Sequence, residues 1–356
     1  MAQLRHIGIS LGRVRHWHDG LGEFSRQLCL ALAERAARLR DEHGIALHFH
    51  LPAPWHGEFG DGVGYLATHT TQRWMHWQPR RFALWHSLHQ HNRLKAPLGT
   101  LRRMETVHDL NFLHTKQGAK QQRYCRIMAR RLAGCDAVVA ITHHVAGDLR
   151  AHIPALSAPV EVIHNGVADL TQLPQRPMEG LGSEPFLLHV SRMAPTKNIV
   201  AILGLAACWP ARRIVLAGAD SPYTREVERM VANQGLRNVT IRLNLDESQK
   251  TWAYAHCDGF LFPSLAEGFG LPPVEAMHFG KPVFLSRLTS LPEVGGDVAH
   301  YFDNFEPQAM RAVVERGLAH AQDAGQRARI AAHAARFSWA RCADAYQTLY
   351  LRLVNG

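Results

Sequence analysis

Two series of apolar, strand-like runs alternating with helical segments constrain the fold of this chain more than any other feature. In the first half, strands are predicted at residues 7–11, 46–51, 63–67, 82–85, 104–107 and 137–141, and helices at 21–39, 116–132 and after Thr142. In the second half, strands are predicted at residues 186–190, 213–217, 239–243, 259–262 and 282–285, and helices at 196–208, 223–234, 247–256, 272–279 and 307–321. Because strands that alternate with helices form parallel sheets, the sequence predicts two α/β units.

A segment without periodicity separates the two series. Residues 173–185 are rich in proline and glycine, which is typical of a linker. We therefore predict an N-terminal domain at residues 1–172, a C-terminal domain at 186–338 and a last helix at 339–356. A length of 356 residues suits two domains of ordinary size.

Two carboxylates, Glu267 and Glu275, lie on either side of a Gly-x-Gly turn formed by Gly268 and Gly270. A strand-like run precedes the turn, and the prolines at 272–273 suit the first turn of a helix, with Glu275 in that turn. Glycine permits close approach of the backbone to a ligand, and a helix start favours an anion such as phosphate. At a phosphate site, two acids are better suited to accept hydrogen bonds from sugar and ribose hydroxyls than to pair with the negatively charged phosphate.

Two cations, Arg192 and Lys197, follow the first predicted strand of the second half. Such a pair can hold a pyrophosphate and stabilise the negative charge of a leaving group. The chain contains no Asp-x-Asp sequence, which many transferases use to hold Mg²⁺ or Mn²⁺. A cation pair beside a helix N-terminus can neutralise a leaving pyrophosphate without a metal ion. Taken alone, either cation would more often be a solvated charge at a helix end.

These segments together resemble the retaining GT-B glycosyltransferases with an E-x7-E motif, often called glycosyl transferases group one. The matching motifs occur in the family's order over nearly the whole chain: Gly20-Leu21-Gly22, Val107-His108-Asp109-Leu110, Val162-Ile163-His164-Asn165-Gly166-Val167, His189-Val190-Ser191-Arg192 with Lys197-Asn198, Glu267 to Glu275, and Phe337-Ser338-Trp339. The resemblance implies two Rossmann-like domains with parallel sheets facing across a crevice. It also implies that the last helix crosses back to the N-terminal domain.

The resemblance assigns roles to the residues of the C-terminal domain. Glu267 would contact the donor hexose and Glu275 the ribose hydroxyls. The backbone N–H groups of Gly268, Phe269, Gly270 and Leu271 would meet the sugar and the phosphates. Arg192 and Lys197 would bind the diphosphate in place of a metal ion, so the resemblance implies a metal-independent enzyme with no cofactor other than its nucleotide-sugar co-substrate. Transfer would retain the anomeric configuration, with the leaving phosphate able to take the acceptor proton.

In the N-terminal domain, the resemblance places His108 at the donor sugar. A satisfied structural histidine is the simpler interpretation, and Asp109 would either fix His108 or cap the loop that follows. Gly20 and Gly22 would let the first helix direct its N-terminus at the donor phosphate. The acceptor is expected to be a lipopolysaccharide, another surface polysaccharide or a lipid-linked glycan.

Other functions on the same fold stay open, because a fold does not specify a function. A nucleotide-sugar 2-epimerase would need no acceptor, and a phosphorylase would need a cofactor lysine for which the sequence offers no specific candidate. An inert binding subunit is disfavoured by the intact set of Arg192, Lys197, Glu267 and Glu275.

The basic charge of the chain is concentrated in its first half. The net charge is +9 over residues 1–165 and +1 over residues 166–356. This basic excess can attract an anionic membrane surface, and the predicted basic amphipathic helix at 116–132 could lie on it. The sequence of this helix is equally consistent with an ordinary surface helix whose apolar residues face the core, namely Tyr124, Ile127, Met128 and Leu132. No nucleic-acid-binding module is recognisable. The N-terminus lacks a signal-peptide pattern, so we expect a cytoplasmic protein that can be peripheral at the membrane.

Histidines and cysteines do not form a recognisable metal motif. Histidines cluster at 16/18, 48/50, 86/89/91 and 143/144, but none has a cysteine or carboxylate at zinc spacing. The six cysteines are scattered and are expected to be reduced core thiols. We therefore predict no metal site.

Overall fold

The computed structural model describes residues 4–14, 17, 20–181 and 184–356. The chain forms two compact units, one comprising Met1–Gly166 with Ser338–Gly356, and the other Val167–Phe337. The Gly182–Ser183 part of the predicted linker lies outside the described residues, as does the His16/His18 pair.

The first unit is built on a seven-stranded sheet. Its strands are β1 (Arg5–Ser10), β2 (Ile45–Leu51), β3 (Gly64–Ala67), β4 (Leu84–Ser87), β5 (Arg102–Val107), β6 (Ala137–Ala140) and β7 (Val160–Val162). They are all parallel, in the order β3-β2-β1-β4-β5-β6-β7. The helices are α1 (Gly20–Ala33), α2 (Ala36–His43), α3 (Phe112–Thr115), α4 (Gly118–Leu132) and α5 (His143–His152). Thr142 caps α5 as predicted, because its hydroxyl accepts from the Val145 N–H.

The second unit repeats this arrangement with six strands. They are β8 (Phe186–Val190), β9 (Arg213–Gly218), β10 (Val239–Leu243), β11 (Gly259–Phe262), β12 (Val283–Ser286) and β13 (His300–Phe302), in the parallel order β10-β9-β8-β11-β12-β13. The helices are α6 (Ile199–Cys208), α7 (Thr224–Asn233), α8 (Glu247–His256), α9 (Leu271–His278), α10 (Leu291–Gly295), α11 (Pro307–His320) and α12 (Ala324–Ala334). Both sheets have the Rossmann strand order, whose switch points lie at β1/β4 and β8/β11.

The last helix, α13 (Trp339–Asn355), belongs to the first unit and supplies much of its core. Tyr346 and Tyr350 of α13 are fully buried. The Tyr350 hydroxyl lies 2.7 Å from His86 Nδ1, and the Tyr346 hydroxyl lies 2.9 Å from Thr106 Oγ1. These buried hydrogen bonds tie the C-terminal helix to β4 and β5.

One predicted helix is wrong in its extent. Residues 21–39 were expected to form a single helix, but α1 and α2 are separate elements that meet at Glu34 and Arg35. The Arg35 guanidinium donates to the Ala31 carbonyl at 2.6 Å and forms an ion pair with Asp344. The break is thus accompanied by a contact with α13, which lies far away in the sequence.

Candidate active site

The glycine turn between β11 and α9 has the predicted strand–turn–helix form. Gly270, at the N-cap of α9, has a φ of +102°, in the left-handed region that favours glycine. A Cβ atom at this position would lie 2.9 Å from Leu291 Cδ2. Because Pro272 and Pro273 lack N–H groups, Leu271 is the only one of the first three residues of α9 that has a backbone donor for a ligand.

Glu267 is held at this turn by several hydrogen bonds. Its Oε1 atom lies 2.5 Å from Lys197 Nζ and 2.6 Å from Ser264 Oγ. Its backbone N–H donates to Thr289 Oγ1 at 3.0 Å, and its carbonyl accepts from Ser290 Oγ. The Glu267 side chain is 12% exposed and the Lys197 side chain 20%. The structure thus brings together two residues that the sequence places 70 positions apart.

Glu275 lies deeper in α9 than predicted. It is the fifth residue of the helix, beyond the first turn, because α9 starts at Leu271. Its carboxylate accepts from the Tyr254 hydroxyl at 2.6 Å and from Lys250 Nζ at 3.2 Å. Burial and the neighbouring carboxylate raise the pKa of Tyr254 well above its usual value, so Tyr254 stays a hydrogen-bond donor. Glu275 is therefore held by partners on α8.

Arg192 and Lys197 lie on the loop that follows β8. Arg192 is exposed, and within the described part of the chain it has no hydrogen bond or ion pair. Behind the loop, buried His189 donates from Nδ1 to the Leu261 carbonyl at 2.8 Å, and its Nε2 lies 2.7 Å from Ser191 Oγ. Burial lowers the pKa of His189 to about 4, so this ring is neutral at physiological pH. It joins the carboxyl ends of β8 and β11, where the candidate residues lie.

Sequence analysis did not single out several residues that shape this site. The two glutamates are positioned by four residues: Ser264 and Thr289 contact Glu267, and Tyr254 and Lys250 contact Glu275. Ser264 is three residues before Glu267, whereas the other three lie too far along the chain to form a sequence motif. Gly218 also went unnoticed. A Cβ there would lie 1.7 Å from the Ser191 carbonyl oxygen, so only glycine lets the end of β9 pass this close to the β8 loop.

In the first unit, His108 is buried at the end of β5. Its Nε2–H donates to the Leu88 carbonyl at 2.8 Å, and its ring packs edge-on against Phe24 with 4.4 Å between centroids. Burial lowers the pKa of His108 to about 3. Since a carbonyl can only accept, Nδ1 of this neutral ring is left as an acceptor. Of the two roles considered for Asp109, the structure shows the loop cap, because its Oδ1 accepts from the Asn111 N–H at 2.9 Å.

Gly20 begins α1, and Gly22 lines a cleft of about 310 Å³ within the first unit. The other lining residues are Arg13, Val14, Leu21, Ser25, Arg73, His89, His91, Asn92, Arg93 and Leu94. Among the described residues, those that line this cleft include three arginines and no acid. The cleft is therefore suited to polar or anionic ligands.

One histidine of the predicted clusters, His144, has a carboxylate neighbour in the structure. Its Nε2 lies 3.4 Å from Asp148 Oδ2, one helical turn along α5, and His114 of α3 brings a third ligand atom within 4.8 Å. The pairing of His144 with Asp148 at i and i+4 was readable from the sequence, whereas His114 required the fold.

Helix α4 has a mixed surface. Met128 and Leu132 are buried, as expected of core-facing residues, but Tyr124 and Ile127 are 40% and 50% exposed. Over the described ranges, no helix has the length and apolar character needed to cross a bilayer.

Comparison with known proteins identifies a family for the second unit. Residues 174–333 match the family model described as "Glycosyl transferases group 1". A serotype-specific mannosyltransferase of Escherichia coli is 34% identical over 181 residues, which cover 48% of this chain and 22% of the relative. The O-antigen chain mannosyltransferase B of Escherichia coli is 33% identical over 173 residues, which cover 46% of this chain and 44% of the relative. The chain thus spans less than half the length of these relatives.

A solved structure shares the fold over the whole chain. The sucrose-phosphate synthase from Thermosynechococcus elongatus has a TM-score of 0.72 and 18% identity, and the alignment covers 98% of this chain and 99% of that chain. The GT-B class, with two Rossmann-like domains, is confirmed.

Proposed function

Since residues 174–333 identify this chain as a member of the group 1 glycosyl transferase family, we propose that it transfers a hexose from a nucleotide sugar to a glycan acceptor. One observation carries the proposal, the contact of Lys197 and Ser264 with Glu267 beside the Gly270 turn. This places a cation, a carboxylate and a helix N-terminus at the carboxyl ends of β8 and β11. In open α/β sheets, ligands bind at this type of location.

The donor diphosphate would bind Arg192, Lys197 and the Leu271 N–H. As the bond between sugar and phosphate breaks, negative charge grows on the leaving diphosphate, and prepositioned cations stabilise that charge. Glu267 holds Lys197 in place and directs its carboxylate at the hexose. Glu275, oriented by Tyr254, would accept hydrogen bonds from the ribose. In this scheme no metal ion is required, and the leaving phosphate can take the proton of the acceptor, with retention of configuration.

Relatives support mannose as the sugar and a polysaccharide as the acceptor, because two of them are named as mannosyltransferases and one as acting on the O-antigen chain. The donor would be linked to GDP or UDP. The first unit would receive the acceptor, with the cleft beside Gly22 as the contact point. The acceptor can be lipid-linked or part of a lipopolysaccharide.

The first test asks which nucleotide binds and whether an acceptor is needed. We expect calorimetric titration with GDP, UDP and ADP to select one diphosphate, and its mannose or glucose conjugate to be consumed only when a glycan acceptor is present. Conversion of the nucleotide sugar to an isomer without acceptor would instead indicate an epimerase.

The two carboxylates are expected to respond differently to substitution. Glu275→Gln should weaken binding of the nucleoside diphosphate about ten-fold, since the ribose is present in that ligand. Glu267→Gln should leave this affinity nearly unchanged, because glutamine keeps a side-chain oxygen for Lys197 and the hexose is absent from the diphosphate. It should lower the transfer rate, since the contact to the hexose acts in the transition state. Titration and transfer assays of both variants, with the exposed Glu228→Gln as the matched control, measure the difference. Equal loss of diphosphate affinity in both variants would refute these roles.

Metal independence is a separate prediction. Transfer should persist in excess EDTA, because Arg192 and Lys197 neutralise the leaving group. The control is Asp148→Asn, which removes the carboxylate of the His114–His144–Asp148 group and should leave activity unchanged. Activity that is abolished by EDTA and restored by Mn²⁺ would contradict the prediction.

A further inference from the structure

Five large apolar side chains of the first unit are exposed on two adjacent segments. They are Trp74 (70% exposed), Met75 (66%), Trp77 (68%), Leu98 (62%) and Leu101 (56%), and we call them the tryptophan face. The part of the chain that the structure describes has eleven exposed large apolar side chains, so almost half of them lie here. A concentration of large exposed apolar side chains on neighbouring segments is typical of an interaction site.

The two segments are held together by hydrogen bonds. The Lys95 N–H donates to the Gln72 carbonyl at 2.9 Å, and the Leu98 N–H donates to the His76 carbonyl at 2.8 Å. The Leu101 N–H donates to the Phe82 carbonyl at 3.0 Å. The tryptophan face therefore lies on backbone that the fold holds in place.

Other residues of the same segments pack into the core of the first unit. The exposed side chains of the tryptophan face are therefore not needed to form that core. His76, only 1% exposed, donates from Nδ1 to the Lys95 carbonyl at 2.8 Å and stacks on His50. Phe82 and Trp85 are also buried and pack edge to face. With these residues directed inward, Trp74 and Trp77 remain available for a partner outside the chain.

The charge around the tryptophan face identifies the kind of partner. Residues 62–104 contain seven Lys or Arg and no Asp or Glu. Six of these are exposed, namely Arg80, Arg81, Arg93, Lys95, Arg102 and Arg103. Tryptophan side chains favour the interfacial region of a bilayer, and clustered basic residues are attracted to anionic headgroups. We propose that the tryptophan face docks the first unit on the surface of an anionic lipid bilayer.

This surface differs from helix α4, for which the sequence left a membrane contact and a core-facing surface helix equally open. Helix α4 exposes only Tyr124 and Ile127 among its large apolar residues. The tryptophan face has no helical periodicity, because β3 and β5 are each joined to β4 by segments that contain no α-helix. A search for amphipathic helices therefore passes over it.

The test is co-sedimentation of the full chain with vesicles. Wild type should bind vesicles that contain phosphatidylglycerol, bind pure phosphatidylcholine vesicles weakly, and dissociate as salt is raised. Trp74→Ser/Trp77→Ser should lower the affinity for the anionic vesicles by about ten-fold or more. Because both residues are exposed, the melting temperature of this variant should stay close to that of wild type.

Tyr124→Ser/Ile127→Ser on α4 is the matched control and should bind vesicles like wild type. Unchanged binding by Trp74→Ser/Trp77→Ser, or absence of binding by wild type, would overturn the proposal. The proposal would also be overturned if wild type forms a dimer in the absence of lipid and Trp74→Ser/Trp77→Ser abolishes that dimer. The tryptophan face would then join two copies of the chain. Nucleoside diphosphate affinity should be the same in all these proteins, so the result is separable from that of the donor site.

Discussion

Replacing Lys197 by alanine is expected to lower kcat/KM for the nucleotide sugar about ten- to a hundred-fold or more, while the fold persists. A hydrogen bond to a charged group contributes about 1.5–3 kcal/mol, and this one would strengthen as the leaving diphosphate gains charge. The structure adds a second reason, because Lys197 Nζ lies 2.5 Å from Glu267 Oε1. Loss of the cation leaves Glu267 without its counter-ion at the site of the transferring sugar.

Steady-state kinetics of three variants test this expectation. Lys197→Arg should retain part of the activity, since it keeps the charge but changes the geometry. Lys281→Ala, which removes a lysine just before β12 in the same unit, should behave like wild type. If Lys197→Ala has wild-type kinetics, Lys197 is only a surface cation and the proposed diphosphate site is wrong.

Acidification is expected to unfold the chain, starting with the first unit. Burial lowers the pKa of His50, His86 and His108 to about 3 and of His189 to about 4. In the unfolded chain these groups titrate near 6.5. Their contribution to stability is therefore complete above about pH 6.5 and is lost as the pH falls toward 4. Three of the four belong to the first unit.

Glu105 partly opposes this effect. Burial raises its pKa to about 7 despite its ion pair with Arg131 at 2.7 Å. Between about pH 7 and pH 4.5, Glu105 is therefore protonated in the folded chain and ionised in the unfolded chain. Because more histidines take up protons on unfolding than the one carboxyl that releases a proton, the free energy of unfolding falls as the pH falls, by about 1.4 kcal/mol per pH unit for each net proton.

Denaturant titrations between pH 7 and pH 5 measure this loss, and calorimetry gives the number of protons taken up. His86→Gln should reduce the uptake by about one proton, whereas His152→Gln, an exposed histidine on α5, should leave it unchanged. A free energy of unfolding that is constant over this range would show that the buried histidines are protonated in the folded chain.

Short-range patterns were sufficient for the fold class and for part of the site. The alternation of strands and helices predicts both parallel sheets, because apolar periodicity is a local signal and alternating elements favour parallel pairing. The strand–turn–helix form around Gly270 was also predicted, since glycine permits a left-handed backbone and the two prolines fix φ where they stand. The errors concern long-range contacts, such as the Arg35 ion pair with Asp344 that accompanies the break between α1 and α2.

The sequence by itself determined the two Rossmann-like units, the glycine turn and the identity of the candidate residues from Arg192 to Glu275. Only the tertiary structure decided that Lys197 contacts Glu267, that Tyr254 orients Glu275, and that Trp74 and Trp77 face solvent while His76 is buried. The physical reason is one of range. Propensity and turn chemistry depend on neighbours within a few residues, whereas ion pairs, burial and exposure depend on which distant segments pack together.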